Sequence, residues 1–277
     1  MMDNVWERSS VALDQLGCPP PKRIALLTDF GSGPYIGQLM LLAGVLAPGL
    51  PVVNLLDDLP SFRPDLAAYL LPGLTRGMPS GTLYLCVVDP GVGGERGALA
   101  VRCGPNWFVG PDNGLLVQIV RRCGDSALRL WRIDWRPKQS SESFHGRDLF
   151  LPIAIALTLG RLQLPCQSVP PKNILGYHDP LDCQRILYVD RYGNLMTGLG
   201  GDRRGNDGRI RAGGRMLCQA RTFCDCPVGV PFWYHNAFGL IELAVNQGRA
   251  DELLGLSVGD PIHWELGKVQ DTPSVSA

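Results

Sequence analysis

The chain has 277 residues, 45% hydrophobic and 19% charged, enough for one large or two smaller folded domains with a buried core. Lys+Arg 26 balances Asp+Glu 26, so no net field draws the chain to nucleic acid or to an anionic membrane surface. No apolar run nears the ~20 residues that span a bilayer, and Met1 to Leu16, carrying Asp3, Glu7, Arg8 and Asp14, lacks a signal-peptide core, so a cytoplasmic protein is expected.

After an N-terminal extension (1–22), residues 23–165 alternate two textures. Arg23 to Thr28 is a short apolar run ending at Asp29, and Tyr35 to Leu46 reads as a helix stopped by Pro48. Val52 to Leu56 is a second apolar run. Ser61, Pro64 and Asp65 read as a capped helix start, followed by Leu66, Ala67, Leu70 and Leu71 at helical spacing. Leu83 to Val88 is a third strand, ending at Asp89, and Arg147 to Leu159 reads as the closing helix. This order predicts an α/β domain with a mostly parallel sheet in a three-layer sandwich, and ligand sites beyond the strand ends where Asp29 and Asp89 stand. Residues 166–184, with Pro170, Pro171 and Pro180, read as a linker. Short strands such as Arg185 to Val189 and Arg209 to Arg211, separated by glycine pairs, then predict a smaller β-barrel-like domain over 185–267, ahead of a polar tail (268–277).

The nine cysteines are odd in number and mostly scattered in apolar runs, which predicts small hydrophobes rather than a disulfide framework. Cys224 and Cys226, with Cys218 upstream, make one cluster where a zinc site wants two, so no metal is expected.

Four segments carry chemistry. In Thr28-Asp29-Phe30-Gly31 a carboxylate at a strand end can accept both hydroxyls of a ribose, although an acid capping a turn has the same look. Val88-Asp89-Pro90-Gly91-Val92-Gly93-Gly94-Glu95-Arg96 forces a tight exposed loop that sets an acid and an arginine on one rim. Ser143-Phe144-His145-Gly146-Arg147-Asp148 places one of only four histidines at an element junction, where its near-neutral pKa suits proton transfer. Phe144 beside it can stack on a base or simply pack. In the second domain, Asp190-Arg191-Tyr192-Gly193-Asn194 and the stretch opened by Asn236-Ala237-Phe238-Gly239 offer amides that can read an adenine edge and rings to stack on it. Each segment alone is equally a turn.

Together, with Pro111-Asp112-Asn113-Gly114 between the second and third, these motifs resemble the S-adenosyl-L-methionine hydroxide adenosyltransferases, relatives of the fluorinating and chlorinating enzymes that use the same substrate. The resemblance covers roughly residues 23 to 265. It implies that Asp89, Arg96 and His145 form a catalytic triad that delivers water-derived hydroxide to the ribose C5′, releasing adenosine and L-methionine. It implies that Asp29 binds the ribose, that Phe144 lines the nucleoside pocket, and that Asp190 and Asn194 hold the methionine moiety and the adenine. Tyr192, Asn236 and Phe238 complete the expected binding set. No cofactor is implied. A homotrimer with each site between the first domain of one subunit and the second of its neighbour is. The chain departs from the family at Ser32-Gly33-Pro34, where a further acid is common, and at Ala237-Phe238, where small hydroxyl-bearing residues are common.

Three rival readings remain. A chlorinase on the same scaffold would need the Asp89 and His145 positions changed and a serine near the anion, where this chain has Gly146. A noncatalytic adenosyl-ligand binding protein would not need all three triad residues. A metal-dependent phosphohydrolase would be sensitive to chelators.

Overall fold

The computed structural model describes residues 19–160, 166–205 and 208–265. The segment up to Cys18, Leu164–Pro165 and the polar tail lie outside the described residues. The chain is a mixed α/β protein that divides into two compact units, residues 1–181 and 182–277.

In the first unit, Arg23–Thr28 (β1) enters the core directly, its last five residues buried. Pro34–Leu46 (α1) has proline in its first turn and buries Ile36, Leu39 and Ala43 at helical spacing. Val52–Leu56 (β2), Pro64–Thr75 (α2) and the wholly buried Thr82–Val87 (β3) follow. Ser61 does not cap α2. Arg63 is the residue at the cap position, and its guanidinium pairs with Asp65 of the first turn. Ala98–Cys103 (β4), Asn106–Pro111 (β5), Val117–Arg122 (α3), Leu128–Ile133 (β6), Leu151–Thr158 (α4) and Cys166–Ser168 (β7) complete the unit.

The seven strands form one sheet in the order β2-β1-β3-β5-β4-β6-β7. The expectation of a mostly parallel sheet needs correction. β1 pairs parallel with β2 and β3, and β3 with β5, but the β4–β5, β4–β6 and β6–β7 pairings are antiparallel. Only Gly104 and Pro105 separate β4 from β5, and Gly104 turns back with φ 58, far too short for a parallel crossover. Leu26, Leu85, Trp107 and Val109 from the strands, Leu39 and Ala43 from α1, and Ile153 and Leu157 from α4 pack into one apolar cluster. Thr28 of β1 stands opposite Val87 of β3, so Asp29 and Asp89 emerge side by side at the carboxyl end of the parallel strands.

Cys103 and Cys123 form a disulfide, their Cα atoms 5.7 Å apart, which corrects the reading of these two cysteines as small hydrophobes. The pair joins the end of β4 to the cap residue of α3, a closeness created by sheet topology that linear spacing does not reveal.

The second unit is β-rich. Its strands are Cys183–Val189 (β8), Leu195–Gly200 (β9), Arg209–Ala212 (β10), Arg215–Leu217 (β11), Pro231–His235 (β12) and Leu240–Val245 (β13), followed by Ala250–Leu254 (α5) and His263–Glu265 (β14). They make two sheets, β12-β13-β9-β8 and β11-β10-β14, over a shared core that includes Ile186, Leu195, Ile210, Trp233 and Leu243. No helix among the described residues is long and apolar enough to cross a membrane.

Candidate active site

The loop after β3 brings Asp89 and Arg96 into a two-pronged contact. Arg96 Nε donates to Asp89 Oδ1 and Oδ2, both at 3.0 Å, and its Nη2 also donates to Oδ2. Both side chains are nearly buried, 6% and 10% exposed, so the pair forms away from the screening that weakens surface ion pairs. Gly93 makes the loop possible. Its φ is +85, and a Cβ there would stand 2.9 Å from the carbonyl oxygen of Glu142.

His145 joins the pair: its Nδ1 lies 2.9 Å from Arg96 Nη2. A guanidinium can only donate, so Nδ1 is the acceptor and the neutral ring carries its proton on Nε2. Burial pushes the His145 pKa below its ordinary 6.5, and the Arg96 cation pushes it further, against the opposing pull of Asp89. Arg96 Nη1 is also buried and has no hydrogen-bond partner among the described residues.

The backbone that carries His145 is pinned from both sides. Ser141 N–H donates to Asp148 Oδ2 at 2.7 Å, and Arg147 bridges Asp148 to Gln38 of α1, reaching Gln38 Oε1 at 2.8 Å. These bonds hold Asp148 ionised well below the usual carboxylate range, the Arg147 contact first among them. From Gly146 to Phe150 the chain winds as a π-helical turn, a rare conformation that often marks a functional site. A Cβ on Gly146 would stand 2.9 Å from Phe30 Cζ and 3.3 Å from Phe144 Cε2.

Asp29 follows β1, and its Oδ2 accepts the backbone N–H of Phe62 at 3.1 Å. Burial raises its pKa, the Phe62 bond opposes that, and the Asp89 charge adds to the rise, which places the two acids in one electrostatic neighbourhood. Phe144 is buried, packing edge-on against Tyr35 at 5.0 Å and Phe30 at 5.8 Å with Arg147 over its ring. In this state it packs.

In the second unit, Asp190 organises a turn. Its Oδ1 accepts the N–H groups of Tyr192 and Asn194, at 2.8 and 2.9 Å, and its Oδ2 accepts Asn194 Nδ2. Gly193 has φ +83, and a Cβ there would fall 2.5 Å from Asp251 Oδ1. The turn leaves Tyr192 75% exposed and Asn194 buried at the edge of a cavity of about 600 Å³, which Phe223, Val245, Gln247 and Arg249 also line. Asn236 and Phe238 do not line that cavity. Asn236 Oδ1 accepts the N–H groups of Phe238 and Leu240, and its Nδ2 donates to Glu242 Oε2 at 2.6 Å.

The structure therefore gathers Asp29, Asp89, Arg96, Phe144 and His145 in the first unit, and Asp190, Tyr192 and Asn194 in the second. Three residues escape the sequence reading. Phe62 has a left-handed φ of 62 and a ring 74% exposed beside Asp29, and Gln247 has φ 55 at the cavity wall. A strained φ on a non-glycine residue leaves no compositional mark. Glu242, 3% exposed between Tyr234 and Asn236, had a signal available: an acid in the otherwise apolar run Leu240–Val245. Among the described residues no group of three His, Cys, Asp or Glu side chains is arranged to hold a metal ion.

Comparisons with known proteins place these features in a family. The model of the SAM hydroxide adenosyltransferase N-terminal domain matches residues 24–165, and that of the C-terminal domain matches residues 184–263. An (R)-S-adenosyl-L-methionine hydrolase of Thermus thermophilus is 35% identical over 265 residues, covering 86% of this chain and 98% of that protein. A protein of the same description from Salinispora arenicola is 32% identical over 256 residues, covering 88% and 98%. Among solved structures, a conserved protein of Thermotoga maritima superposes with a TM-score of 0.74 at 27% identity, over 87% of this chain and 99% of that one. A conserved hypothetical protein of Thermus thermophilus gives 0.70 at 34% identity, over 88% and 100%. The chain belongs to the SAM hydroxide adenosyltransferase family.

Proposed function

We propose that this chain hydrolyses S-adenosyl-L-methionine to adenosine and L-methionine, with Asp89, Arg96 and His145 acting on the attacking water. The observation that carries the reading is the trio itself: a nearly buried acid gripped by an arginine whose second contact is a neutral histidine. The substrate's sulfonium leaves as a neutral thioether, so the leaving group needs no acid. The difficulty is the nucleophile, because water has a pKa of about 15.7. As the water oxygen bonds to C5′ and the C5′–S electron pair moves to sulfur, the water proton passes to Asp89, which retains lone pairs beyond those Arg96 uses. His145 donates from Nε2 to hold the water, and Arg96 Nη1 supplies a donor to the oxygen as charge develops. Asp29 takes the ribose hydroxyls. The exposed Tyr192 ring and Asn194 receive the adenine at the cavity they line, and Asp190 holds their turn in shape.

A halide nucleophile fits poorly. The Asp89 carboxylate would repel it, and a serine at position 146 would require the Phe30 and Phe144 rings to move. Purified protein given S-adenosyl-L-methionine in chloride buffer is expected to form adenosine and methionine in equal amounts. Accumulation of 5′-chloro-5′-deoxyadenosine would count against the reading.

The same proposal covers assembly and architecture. The two sets of binding residues meet between subunits of a homotrimer, the first unit of one copy against the second unit of the next. Exposed apolar residues on the first unit support this, notably Leu41 and Val45 of α1 and Val53 of β2, at 73%, 66% and 50%. We assign the first unit to a three-layer sandwich and the second to a barrel-like closure of its two sheets, in a cytoplasmic protein.

A further inference from the structure

The turn Pro111-Asp112-Asn113-Gly114 has no part in the chemistry proposed above, yet it touches both ends of the catalytic loop between β3 and β4. That loop leaves the sheet after β3 with Asp89 at its first foot and returns to β4 with Arg96 at its second. Its own bonds are few: Val92 N–H donates to Asp89 O at 3.2 Å and Gly94 N–H to Gly91 O at 3.0 Å. At the first foot, Asn113 Nδ2 donates to the carbonyl of Val88, the residue before Asp89, at 2.9 Å. At the second, the backbone N–H of Asp112 donates to the carbonyl of Gly97, the residue after Arg96, at 3.0 Å. One turn thus fixes the separation of the two feet.

The turn is itself held. Leu115 N–H donates to Asn113 Oδ1 at 3.2 Å, and Gly114 takes a left-handed φ of +94. Arg132 Nη2 reaches Asp112 Oδ2 at 2.6 Å from β6, where Arg132 stands opposite Leu99 of β4. A Cβ on Gly97 would lie 3.2 Å from Arg132 Cδ, so the arginine stem closes over the second foot. Val88 is fully buried, and water has no ready access to replace the Asn113 bond.

We propose that Asn113, together with Asp112 braced by Arg132, positions the Asp89–Arg96 pair against His145. Asn113 and Arg132 are positioning residues, because they act through the two loop feet. The proposal rests on the hydrolase reading and deepens it. Asn113→Asp keeps the acceptor for Leu115 N–H and loses the donor to Val88. Arg132→Gln frees Asp112, and Arg132→Lys restores a cation. With active sites counted by adenosine binding, kcat per site is expected to fall about 10²-fold in Asn113→Asp, the scale of a misplaced reacting group. Arg132→Gln should lower it several-fold, with Arg132→Lys recovering most of the loss and KM little changed throughout. Amide exchange at Val92 and Gly94, read without substrate, should quicken in Asn113→Asp and Arg132→Gln, since their bonds open only when the loop does. A purely structural role would instead lower the melting temperature and the number of sites while kcat per site held. Wild-type kcat per site in Asn113→Asp and Arg132→Gln, or unchanged exchange in both, overturns the proposal. If Asn113→Asp does not fold, the Arg132 pair decides alone. A wild-type chain that leaves S-adenosyl-L-methionine intact overturns the hydrolase reading, and the exchange rates still decide the brace.

Discussion

Arg96 contacts both Asp89 and His145, while Asp29 accepts the Phe62 amide, and this difference in partners predicts two kinds of defect. Alanine at any of the three is expected to lower kcat by roughly 10²–10⁴-fold with substrate affinity nearly intact, read by steady-state kinetics beside equilibrium binding. Asp29→Ala should mainly weaken binding, because a ribose contact exists in the ground and transition states alike. Acidity gives a second test. The charged form of His145 is penalised by burial and then by Arg96, so its proton leaves at lower pH than from a free imidazole. Protonation of Nδ1 would also turn an acceptor into a donor facing Arg96. The acid limb of kcat/KM should therefore fall below the ordinary histidine value of about 6.5, and a limb above it would contradict this electrostatic picture. The grouping of Asp89 and His145 around Arg96 was legible because residue type and motif order mark it, and their catalytic roles stand as a proposal. Phe62 and Gln247 were not, since backbone strain is set by the surrounding fold.

At the scale of elements, the buried runs of β1 and β3 and the helical spacing of α1 could be read directly, because each buries one continuous apolar set. The antiparallel half of the first sheet could not. It depends on a two-residue connection and on pairings among β4, β6 and β7 that no local pattern encodes. The Cys103–Cys123 link has the same origin, since it closes a 20-residue separation that only the β4–β5 hairpin and α3 bring together. By loop-closure entropy such a bond contributes roughly 3 kcal/mol. Denaturant melts with and without reductant should differ by about that amount, and Cys123→Ser should remove the difference. Identical melts would show that the bond contributes no stability.

For the whole molecule, the exposed apolar residues of α1 are informative: Leu41 and Val45 stand in solvent, 73% and 66% exposed. Sedimentation is expected to give a trimer at working concentration, with activity lost on dilution to monomer. A fully active monomer would contradict a site shared between subunits. The texture changes along the chain near the Pro-rich stretch, and the structure divides into two compact units, residues 1–181 and 182–277. In the proposed reaction water, and no other nucleophile, attacks C5′. Turnover of S-adenosyl-L-methionine in ¹⁸O-labelled water, with the nucleoside product read by mass spectrometry, decides whether it does. Adenosine carrying the label on its 5′ oxygen, one per methionine released, is the expected product, and unlabelled adenosine or a 5′-halogenated nucleoside would rule out attack by water.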